Sequence, residues 1–203
     1  MPAVTPSFEI ENTYSGLIAG IDEAGRGPWA GPVVAAAVIL DRDNVPADLR
    51  DSKTLAEKRR EAIAADIYAR ATVSVGVASV AEIDALNILQ ATFLAMARAE
   101  AALARRPGVC IVDGSQKPKL KTRTEMVVKG DAKSLSIAAA SIIAKTARDR
   151  MMRDLAIDHP HYAWEKNKGY GAPAHRAGLE AFGVTPHHRK SFAPIHNMLY
   201  ADS

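Results

Sequence analysis

The chain of 203 residues fits one domain, and its apolar fraction of 48% is enough for a hydrophobic core. Its 26 basic and 23 acidic residues leave a net charge of +3, which permits nucleic-acid binding but does not argue for it. The single cysteine, Cys110, excludes an internal disulfide and favours a reducing compartment such as the cytoplasm, and neither a leader nor a membrane-spanning run is predicted.

The first predicted elements are two strands joined by a glycine-rich turn. Apolar runs at residues 17–21 and 33–40 predict the strands, and strand–turn–strand is typical of a hairpin. Asp22 and Glu23 directly follow the first run. Because successive strand residues point to opposite faces, both cannot lie in one core, and a buried carboxylate must be paired, protonated or bound to a metal.

The glycines of this turn allow more than one interpretation. Gly25 and Gly27 let backbone N–H groups approach a ligand closely. The stretch can also be a solvated strand end with Arg26 in a plain turn, or part of a dinucleotide-binding fingerprint. That fingerprint needs a helix after the glycines, whereas Pro28, Pro32 and a β-rich run follow here.

The string Asp-Glu-Ala-Gly-Arg-Gly-Pro at residues 22–28 resembles the signature of bacterial type 2 ribonucleases H, the ribonuclease HII family. Further pieces of the same family pattern recur along the chain. Together they extend over residues 17–192, nearly the whole sequence.

A helix and a third strand are predicted after the hairpin. Thr54 and Glu57 have the spacing of a capping box, which predicts a helix over residues 55–70. Alternating valines predict a strand over residues 72–80. Lys53, just before the helix, can be a plain exposed lysine. It stands in an Asp-Ser-Lys-x-Leu string that resembles the second family motif, and the resemblance implies that this lysine approaches the nucleic acid.

Two helical segments are predicted next. Ser79 and Glu82 form a second capping box, and the helix that starts there is expected to be interrupted near Asn87 and to continue to about residue 105. Its high alanine content favours helix. We interpret its large apolar side chains as core packing and not as a binding surface: Ile88, Phe93, Leu94 and Met96.

Two aspartates follow predicted buried strands. Residues 109–112 predict a strand that ends at Asp113, and residues 126–128 predict one that ends before Asp131. Asp113-Gly is also a common turn former, and Asp131 can cap the following helix. If the strands that carry Asp22 and Asp113 are parallel neighbours, both carboxylates emerge at the edge where α/β sheets bind ligands. The Val-Asp-Gly and Lys-Gly-Asp-x-x-Ser strings resemble acidic motifs of the family.

Basic residues alternate between these aspartates. They are Lys117, Lys119, Lys121 and Arg123. In an extended segment they would lie on one face, for which a solvated surface is the default interpretation, and contact with phosphates becomes credible only beside a nuclease site. The helix predicted over residues 134–155 has small side chains that allow close packing on the sheet. Lys145 within it can lie on the surface or near the carboxylates.

The last segment is rich in histidine, glycine and proline. Pro173 and Gly183 predict the two ends of a helix. The histidines lack the His-x-x-x-His spacing of zinc sites, so a structural zinc is disfavoured. Gly-Tyr-Gly at residues 169–171, with His175 five residues after Tyr170, resembles the family pattern in which the tyrosine sits on the substrate sugar. A core aromatic is the alternative interpretation of this tyrosine.

The resemblance implies an α/β fold of the ribonuclease H type, with a five-stranded mixed sheet flanked by helices. Five strands are also predicted from the sequence pattern, whereas the strand order comes from the family. We divide the chain into an N-terminal tail (residues 1–15), a catalytic core (16–155) and a C-terminal helical module packed on the core (156–203). Ribonuclease HIII is disfavoured, because its members resemble proteins with an extra N-terminal domain and have glutamate where this chain has Asp131.

The implied activity is metal-dependent endonucleolytic hydrolysis of RNA paired with DNA, and of duplex DNA 5′ to single embedded ribonucleotides, leaving 5′-phosphate and 3′-hydroxyl ends. The implied catalytic residues, which would also hold two Mg²⁺ or Mn²⁺ ions, are Asp22, Glu23, Asp113 and Asp131. The implied substrate-binding residues are Gly25, Arg26, Gly27, Lys53 and Tyr170. We expect a monomer with no membrane partner. The alternatives are a non-catalytic nucleic-acid-binding module, which predicts a lost carboxylate, and another nuclease of the same fold, which predicts neither Gly-Arg-Gly nor Gly-Tyr-Gly.

Overall fold

The centre of the molecule is a five-stranded mixed sheet, in a computed structural model that describes residues 5–200. The strands are β1 (Ile18–Ala24), β2 (Val33–Ile39), β3 (Thr72–Ala78), β4 (Val109–Asp113) and β5 (Arg123–Val127). Their order is β3-β2-β1-β4-β5. β2 is antiparallel to β1 and β3, whereas β4 is parallel to both β1 and β5. The predicted α/β fold and the hairpin are confirmed, and the condition that the strands of Asp22 and Asp113 are parallel neighbours is met.

Helices cover both faces of this sheet. They are α1 (Glu57–Arg70), α2 (Val80–Leu86), α3 (Ile88–Ala101), α4 (Leu135–Asp158), α5 (Trp164–Asn167), α6 (Pro173–Phe182) and α7 (Ala193–Tyr200). α1 and α4 pack on one face and α3 packs on the other. None of the described helices combines the length and the hydropathy needed to cross a bilayer.

The long helix α4 packs unusually close to the central strand. A Cβ atom at Gly20 of β1 would overlap the backbone of Ser136 and Ile137 in the first turn of this helix. The run Ala138–Ala140 and Ala144 is fully buried against the sheet. The small side chains of α4 therefore allow the close approach that the sequence predicted, and they bring the helix within reach of the end of β1.

The first strand is longer than predicted. Asp22 and Glu23 pair with Ala36 and Ala35 of β2, so they belong to the strand and do not follow it. The strand continues because the opposing alanines of β2 offer backbone partners without steric conflict. A strand, not a helix, follows the glycine turn, which excludes the dinucleotide-binding fingerprint.

The two predicted capping boxes have different outcomes. Ser79 and Glu82 form theirs reciprocally, and the helix breaks at Asn87, which has φ 72°. The box predicted at Thr54 does not form, because the Thr54 hydroxyl donates to the Asp51 carbonyl at 2.7 Å and closes a short 3₁₀ turn. Local side chain–backbone bonds of this kind compete with helix capping, so α1 begins two residues later than predicted.

The last three helices share a core with α4. The shared core consists of Ala30, Met152, Ala156, Tyr162, Trp164, Leu179 and Ile195. α4 runs to Asp158, beyond its predicted end, and so contributes to both the sheet core and this smaller one. α6 has the predicted Pro173 and Gly183 ends, whereas α7 has no counterpart among the predicted elements.

The predicted N-terminal tail makes specific contacts with the start of α4. Glu11 is 1% exposed, and its Oε1 accepts hydrogen bonds from the Ser134 hydroxyl at 2.7 Å and the Ser136 N–H at 3.0 Å. Ser7 adds backbone bonds to Lys133 and Leu135. Because the first N–H groups of a helix have no intrahelical partner and attract negative charge, Glu11 stabilises this helix end.

We expect Glu11→Ala to lower the free energy of unfolding by about 1.5–3 kcal/mol, the range for hydrogen bonds to a charged group. Equilibrium urea unfolding measures the change. Glu9→Ala is the matched control, since Glu9 is exposed and a change there is expected to stay within about 0.5 kcal/mol. Equal effects of the two substitutions would show that the Glu11 contacts do not contribute to stability.

Candidate active site

Three of the predicted carboxylates lie at one edge of the sheet. Asp22 lies two residues before the end of β1 and Asp113 is the last residue of the parallel neighbour β4, and both directly follow the paired residues Ile21 and Val112. Asp131 lies in a short 3₁₀ turn after β5, and the preceding Gly130 N–H donates to Asp113 Oδ1 at 2.6 Å. The loops after β4 and β5 are thereby joined through an acidic side chain. This is the sheet edge at which α/β proteins bind ligands.

Asp22 is the most deeply buried of the four. It is 5% exposed. Burial raises the pKa of Asp22 well above its usual value, and repulsion from Glu23 and Asp113 raises it further. Its Oδ1 accepts a hydrogen bond from the Glu23 N–H at 2.7 Å. The charged form of Asp22 is therefore costly in this environment unless a cation lies nearby.

Glu23 has one paired and one unpaired carboxylate oxygen. Oε1 accepts from Arg26 Nη1 at 3.3 Å, whereas Oε2 is buried and has no hydrogen-bond partner in residues 5–200. Burial raises the pKa of Glu23, and the Arg26 guanidinium partly opposes that rise. An unpaired buried carboxylate oxygen is expensive in a folded protein, which makes Glu23 a candidate metal ligand.

Lys53 lies beside the acidic edge. Its Nζ is 3.9 Å from Asp131 Oδ2, and its side chain is largely exposed. Partial burial acts to lower the pKa of Lys53, but Asp131 and the neighbouring carboxylates raise it above its usual value. Burial and repulsion from Asp113 raise the pKa of Asp131. The cap of α4 is Ser134 and not Asp131, so the capping interpretation of Asp131 is wrong.

The four carboxylates are chemically suited to a divalent cation, but their side chains do not converge on one point in this structure. No three His, Cys, Asp or Glu side chains of the described chain converge closely enough to hold a metal ion as they stand. Each has another partner: Asp22 contacts the Glu23 N–H, Glu23 contacts Arg26, Asp113 contacts the Gly130 N–H, and Asp131 contacts Lys53. The all-oxygen donor set, the mutual repulsion and the orphaned Glu23 oxygen nevertheless suit Mg²⁺ or Mn²⁺. Binding requires these side chains to turn toward the ion.

Two clefts meet at Glu23 and Arg26. The larger one, which we call the loop cleft, has a volume of about 300 Å³ and is lined by Glu23, Ala24, Gly25, Arg26, Gly27, Ser52, Lys53, Ser141, Lys145, Arg148 and Tyr170. The smaller one, about 170 Å³, contains Asp113 and the turn that follows it. Phe93 and Met96 form its wall while also packing in the predicted core. The structure thus brings the predicted sugar-contacting residues and two of the acidic residues, Glu23 and Asp113, to adjoining cavities.

The loop cleft contains the predicted tyrosine. Tyr170 is 51% exposed, so it is not a core aromatic. The flanking glycines allow its loop to press against the turn after β1: a Cβ at Gly169 would lie 2.5 Å from the Ala30 carbonyl oxygen, and one at Gly171 would overlap the Trp29 ring. A Cβ at Gly27 would lie 3.3 Å from the Tyr170 ring. Tyr170 and the glycine turn therefore form one continuous wall.

The buried histidines support this tyrosine loop. His175 Nδ1 donates to the Tyr170 carbonyl at 2.9 Å, so its Nε2 must accept from Trp164 Nε1 and from His188 Nε2. His188 Nδ1 then accepts from the Thr185 N–H at 3.0 Å. Burial lowers the pKa of His188 to about 3, so His188 is neutral at physiological pH, and burial also lowers the pKa of His175. The hydrogen bonds of His175 and His188 thus account for the burial of both side chains.

Two buried arginines at the site were assigned no role by sequence reasoning. Arg148 and Arg189 contact the turn between β1 and β2, and a Cβ at Gly25, which has φ +97°, would overlap Arg148 Nε. Close contact with the Arg148 side chain thus explains why a residue without a Cβ stands at position 25. Arg148 could have been found, because it shares a helix face with the buried Ser141 and Met152. No sequence pattern marks Arg189.

The remaining basic residues have mixed positions. Lys145 lines the loop cleft and its Nζ lies 2.5 Å from Asp149 Oδ1, so it is neither free on the surface nor paired with the acidic edge. Burial lowers the pKa of Lys145. The four alternating basic residues are exposed: Lys117, Lys119, Lys121 and Arg123.

Comparison with known proteins points to one family. A family model described as Ribonuclease HII matches residues 19–195. Curated proteins named Ribonuclease HII are similar: one from Jannaschia sp. is 57% identical, covering 96% of this chain and 98% of its own, and one from Paracoccus denitrificans is 58% identical, covering 90% and 88%. The crystal structure of ribonuclease H2 from Pyrococcus horikoshii OT3 superposes with a TM-score of 0.78 at 27% identity, covering 90% of this chain and 97% of that one.

Proposed function

Since this chain belongs to the ribonuclease HII family, and is therefore a metal-dependent nuclease that acts on RNA in RNA–DNA hybrids, we propose that it also cuts duplex DNA on the 5′ side of single embedded ribonucleotides. The observation that carries the proposal is the junction of two features at Glu23 and Arg26. An acidic edge suited to cations adjoins a loop cleft walled by a glycine turn and an exposed tyrosine.

The acidic residues would hold two Mg²⁺ or Mn²⁺ ions: Asp22, Glu23, Asp113 and Asp131. When bound, such ions make a water nucleophilic at neutral pH and stabilise charge on the leaving 3′ oxygen. The contribution of the protein is to keep oxygen ligands at one sheet edge and to bury Asp22 so that a cation is favoured there. Lys53, beside Asp131, would contact a phosphate of the bound strand.

The loop cleft would recognise the sugar. The 2′-hydroxyl is what distinguishes RNA from DNA at one nucleotide. Gly25, Arg26 and Gly27 offer backbone groups to it, and Gly27 leaves room for Tyr170 to lie against the turn. A hydroxyl that both donates and accepts fits a wall made of peptide groups and a phenol.

These substrates define a role in removing ribonucleotides from DNA.

Free Cys110 is buried, as suits a reducing cytoplasm. All proposed site residues lie within one chain, so a monomer can carry a complete site.

We expect the protein to cleave a labelled DNA duplex that contains one ribonucleotide when Mg²⁺ or Mn²⁺ is present, and not in EDTA. Without a cation the carboxylates repel each other and no water is activated. Denaturing electrophoresis measures the cleavage, and the product ends should carry a 5′-phosphate on the ribonucleotide and a 3′-hydroxyl on its neighbour.

The control is the same duplex without the ribonucleotide, which should stay intact. An RNA–DNA hybrid of equal sequence reports the family activity in parallel. Cleavage of the hybrid with no cleavage at the lone ribonucleotide would refute the proposed substrate, and full activity in EDTA would refute the metal mechanism.

A further inference from the structure

Two guanidinium groups are buried at the site without acidic partners. Arg148 is 1% exposed and Arg189 is 0% exposed. Neither forms an ion pair with any residue of the described range 5–200. A buried charge of this kind is costly unless it is fully hydrogen-bonded, so the bonds that these two side chains make must account for their positions.

Arg189 donates to four backbone carbonyls of a single turn. Its Nη1 lies 2.9 Å from the Arg26 oxygen and its Nη2 lies 2.6 Å from the Gly25 oxygen. Nε contacts the Gly31 oxygen at 2.9 Å, and Nη2 also contacts the Pro32 oxygen at 3.2 Å. The guanidinium thus holds both ends of the turn between β1 and β2.

Arg148 completes this arrangement from the other side. Its Nε donates to the Pro32 oxygen at 2.9 Å and its Nη2 donates to the Ala30 oxygen at 3.1 Å. Nη1 donates to the Lys168 oxygen at 2.9 Å, just before the tyrosine loop. The glycine turn and the tyrosine loop are therefore connected through one side chain of α4.

The carbonyl bonds also determine where the peptide N–H groups point. Every described peptide is trans, so the carbonyl and the N–H of one peptide point in opposite directions. Because Arg189 binds the Gly25 and Arg26 oxygens, the N–H groups of Arg26 and Gly27 point away from it. Neither N–H has an acceptor among the residues that the structure describes, and both residues line the loop cleft.

We propose that Arg189, assisted by Arg148, is a positioning residue for sugar selectivity, which acts by aiming the Arg26 and Gly27 N–H groups at the sugar oxygen. This inference rests on the proposed function. A deoxyribose would leave those two donors unpaired in a closed site, and unpaired donors are what reject a substrate that lacks a hydroxyl. The selectivity then depends on the turn being held, as well as on its glycines.

The test is Arg189→Lys, which keeps the charge but replaces a fork of donors by one ammonium that cannot bind four carbonyls. The affinities for a duplex with one ribonucleotide and for the matched all-DNA duplex are compared by anisotropy, with Ca²⁺ instead of Mg²⁺ and with cleavage checked afterwards. We expect the ratio of the two affinities to fall about 3–30-fold, as for one or two lost hydrogen bonds, while far-UV circular dichroism stays unchanged.

Arg60→Lys is the matched control. Arg60 is also a buried arginine, but it donates to Asp149 and to the Ser52 and Leu55 carbonyls, away from the turn. Its substitution should reduce stability without changing the affinity ratio. An unchanged ratio in folded Arg189→Lys overturns the inference, and so does an equal fall in both variants.

A measurement on the wild-type protein covers the case in which Arg189→Lys does not fold. The amide protons of Arg26 and Gly27 should exchange rapidly with solvent in the free protein. Their NMR resonances should shift when the ribonucleotide duplex is added, but not when the all-DNA duplex is added. Protected amides in the free protein overturn the inference. Equal binding of the two duplexes by the wild-type protein also overturns the inference, whereas failure of the proposed substrate is seen separately, as absent cleavage at the lone ribonucleotide.

Discussion

Asp113→Asn is expected to leave a folded protein whose cleavage rate is lower by at least about 100-fold, the size of effect seen when one preorganised electrostatic group is lost. The asparagine Oδ1 can still accept the hydrogen bond from the Gly130 N–H, so the loop contact is preserved. What disappears is the negative charge that would hold a cation. Asp131→Asn should behave in the same way.

A purely structural role for these two residues predicts the opposite result. It predicts a loss of about 1 kcal/mol or less in stability with activity kept. Thermal unfolding and cleavage, measured on the same samples, separate the two cases. Asp154→Asn, an exposed change on α4, is the control for loss of a charge alone. A folded and fully active Asp113→Asn would remove Asp113 from the site.

Asp22 adds a dependence on pH with a definite sign. Burial raises its pKa in the folded protein, so the folded state binds a proton more tightly than the unfolded state does. Metal-free protein should therefore gain stability as pH falls from neutral toward the ordinary carboxylate range, where the unfolded state also becomes protonated. Asp22→Asn should show a smaller gain, because Glu23 and Asp131, whose pKa values are also raised, still contribute to it, and it should have an equal or higher Tm in EDTA at neutral pH.

Tyr170→Phe is expected to cost about 1–3 kcal/mol in transition-state stabilisation, the effect of removing one hydrogen-bonding partner from a closed site. Tyr170→Ala should cost more, because the ring that faces Gly27 is lost as well. Both substitutions should harm cleavage at a lone ribonucleotide at least as much as cleavage within an RNA tract, where neighbouring bonds offer alternative registers. The measurement is kcat/KM on both substrates.

Tyr68 is the matched control for this series. It is 54% exposed on α1, close to the exposure of Tyr170, and it does not line the loop cleft. Tyr68→Phe and Tyr68→Ala should leave cleavage of both substrates unchanged. An unchanged preference with full rate in Tyr170→Ala would show that Tyr170 does not contact the sugar.

The sequence predicted those elements of the fold whose cause is local. The Ser79 and Glu82 box formed because its two bonds are made within one turn. The predicted end of β1 was wrong. Two adjacent carboxylates are typical of a strand end, but Asp22 and Glu23 pair with alanines of β2 and so continue the strand. The predicted capping box at Thr54 was wrong because the Thr54 hydroxyl donates to the Asp51 carbonyl in a competing 3₁₀ turn.

The candidate site was predictable in residue type and only partly in arrangement. The periodicity predicted the two strands, and their parallel pairing, which was only a condition of the sequence-based prediction, brings Asp22 and Asp113 to one edge. The support of the glycine turn was not predictable, because Arg189 reaches Arg26 across 163 residues of sequence. Contacts at that separation depend on the whole topology and leave no periodic trace.

The same separation has a consequence for the newly made protein. The glycine turn leaves the ribosome well before Arg189, and the interval of 163 residues corresponds to roughly 8–30 s at ordinary rates of synthesis. From residue 131 onward the nascent chain contains all four acidic residues, whereas the Gly25 and Arg26 carbonyls have no guanidinium to bind them until Arg189 is made. With the roles proposed above, a chain interrupted before residue 189 would carry the four carboxylates without the arginine that orients the turn, and sugar selectivity would be acquired late in translation.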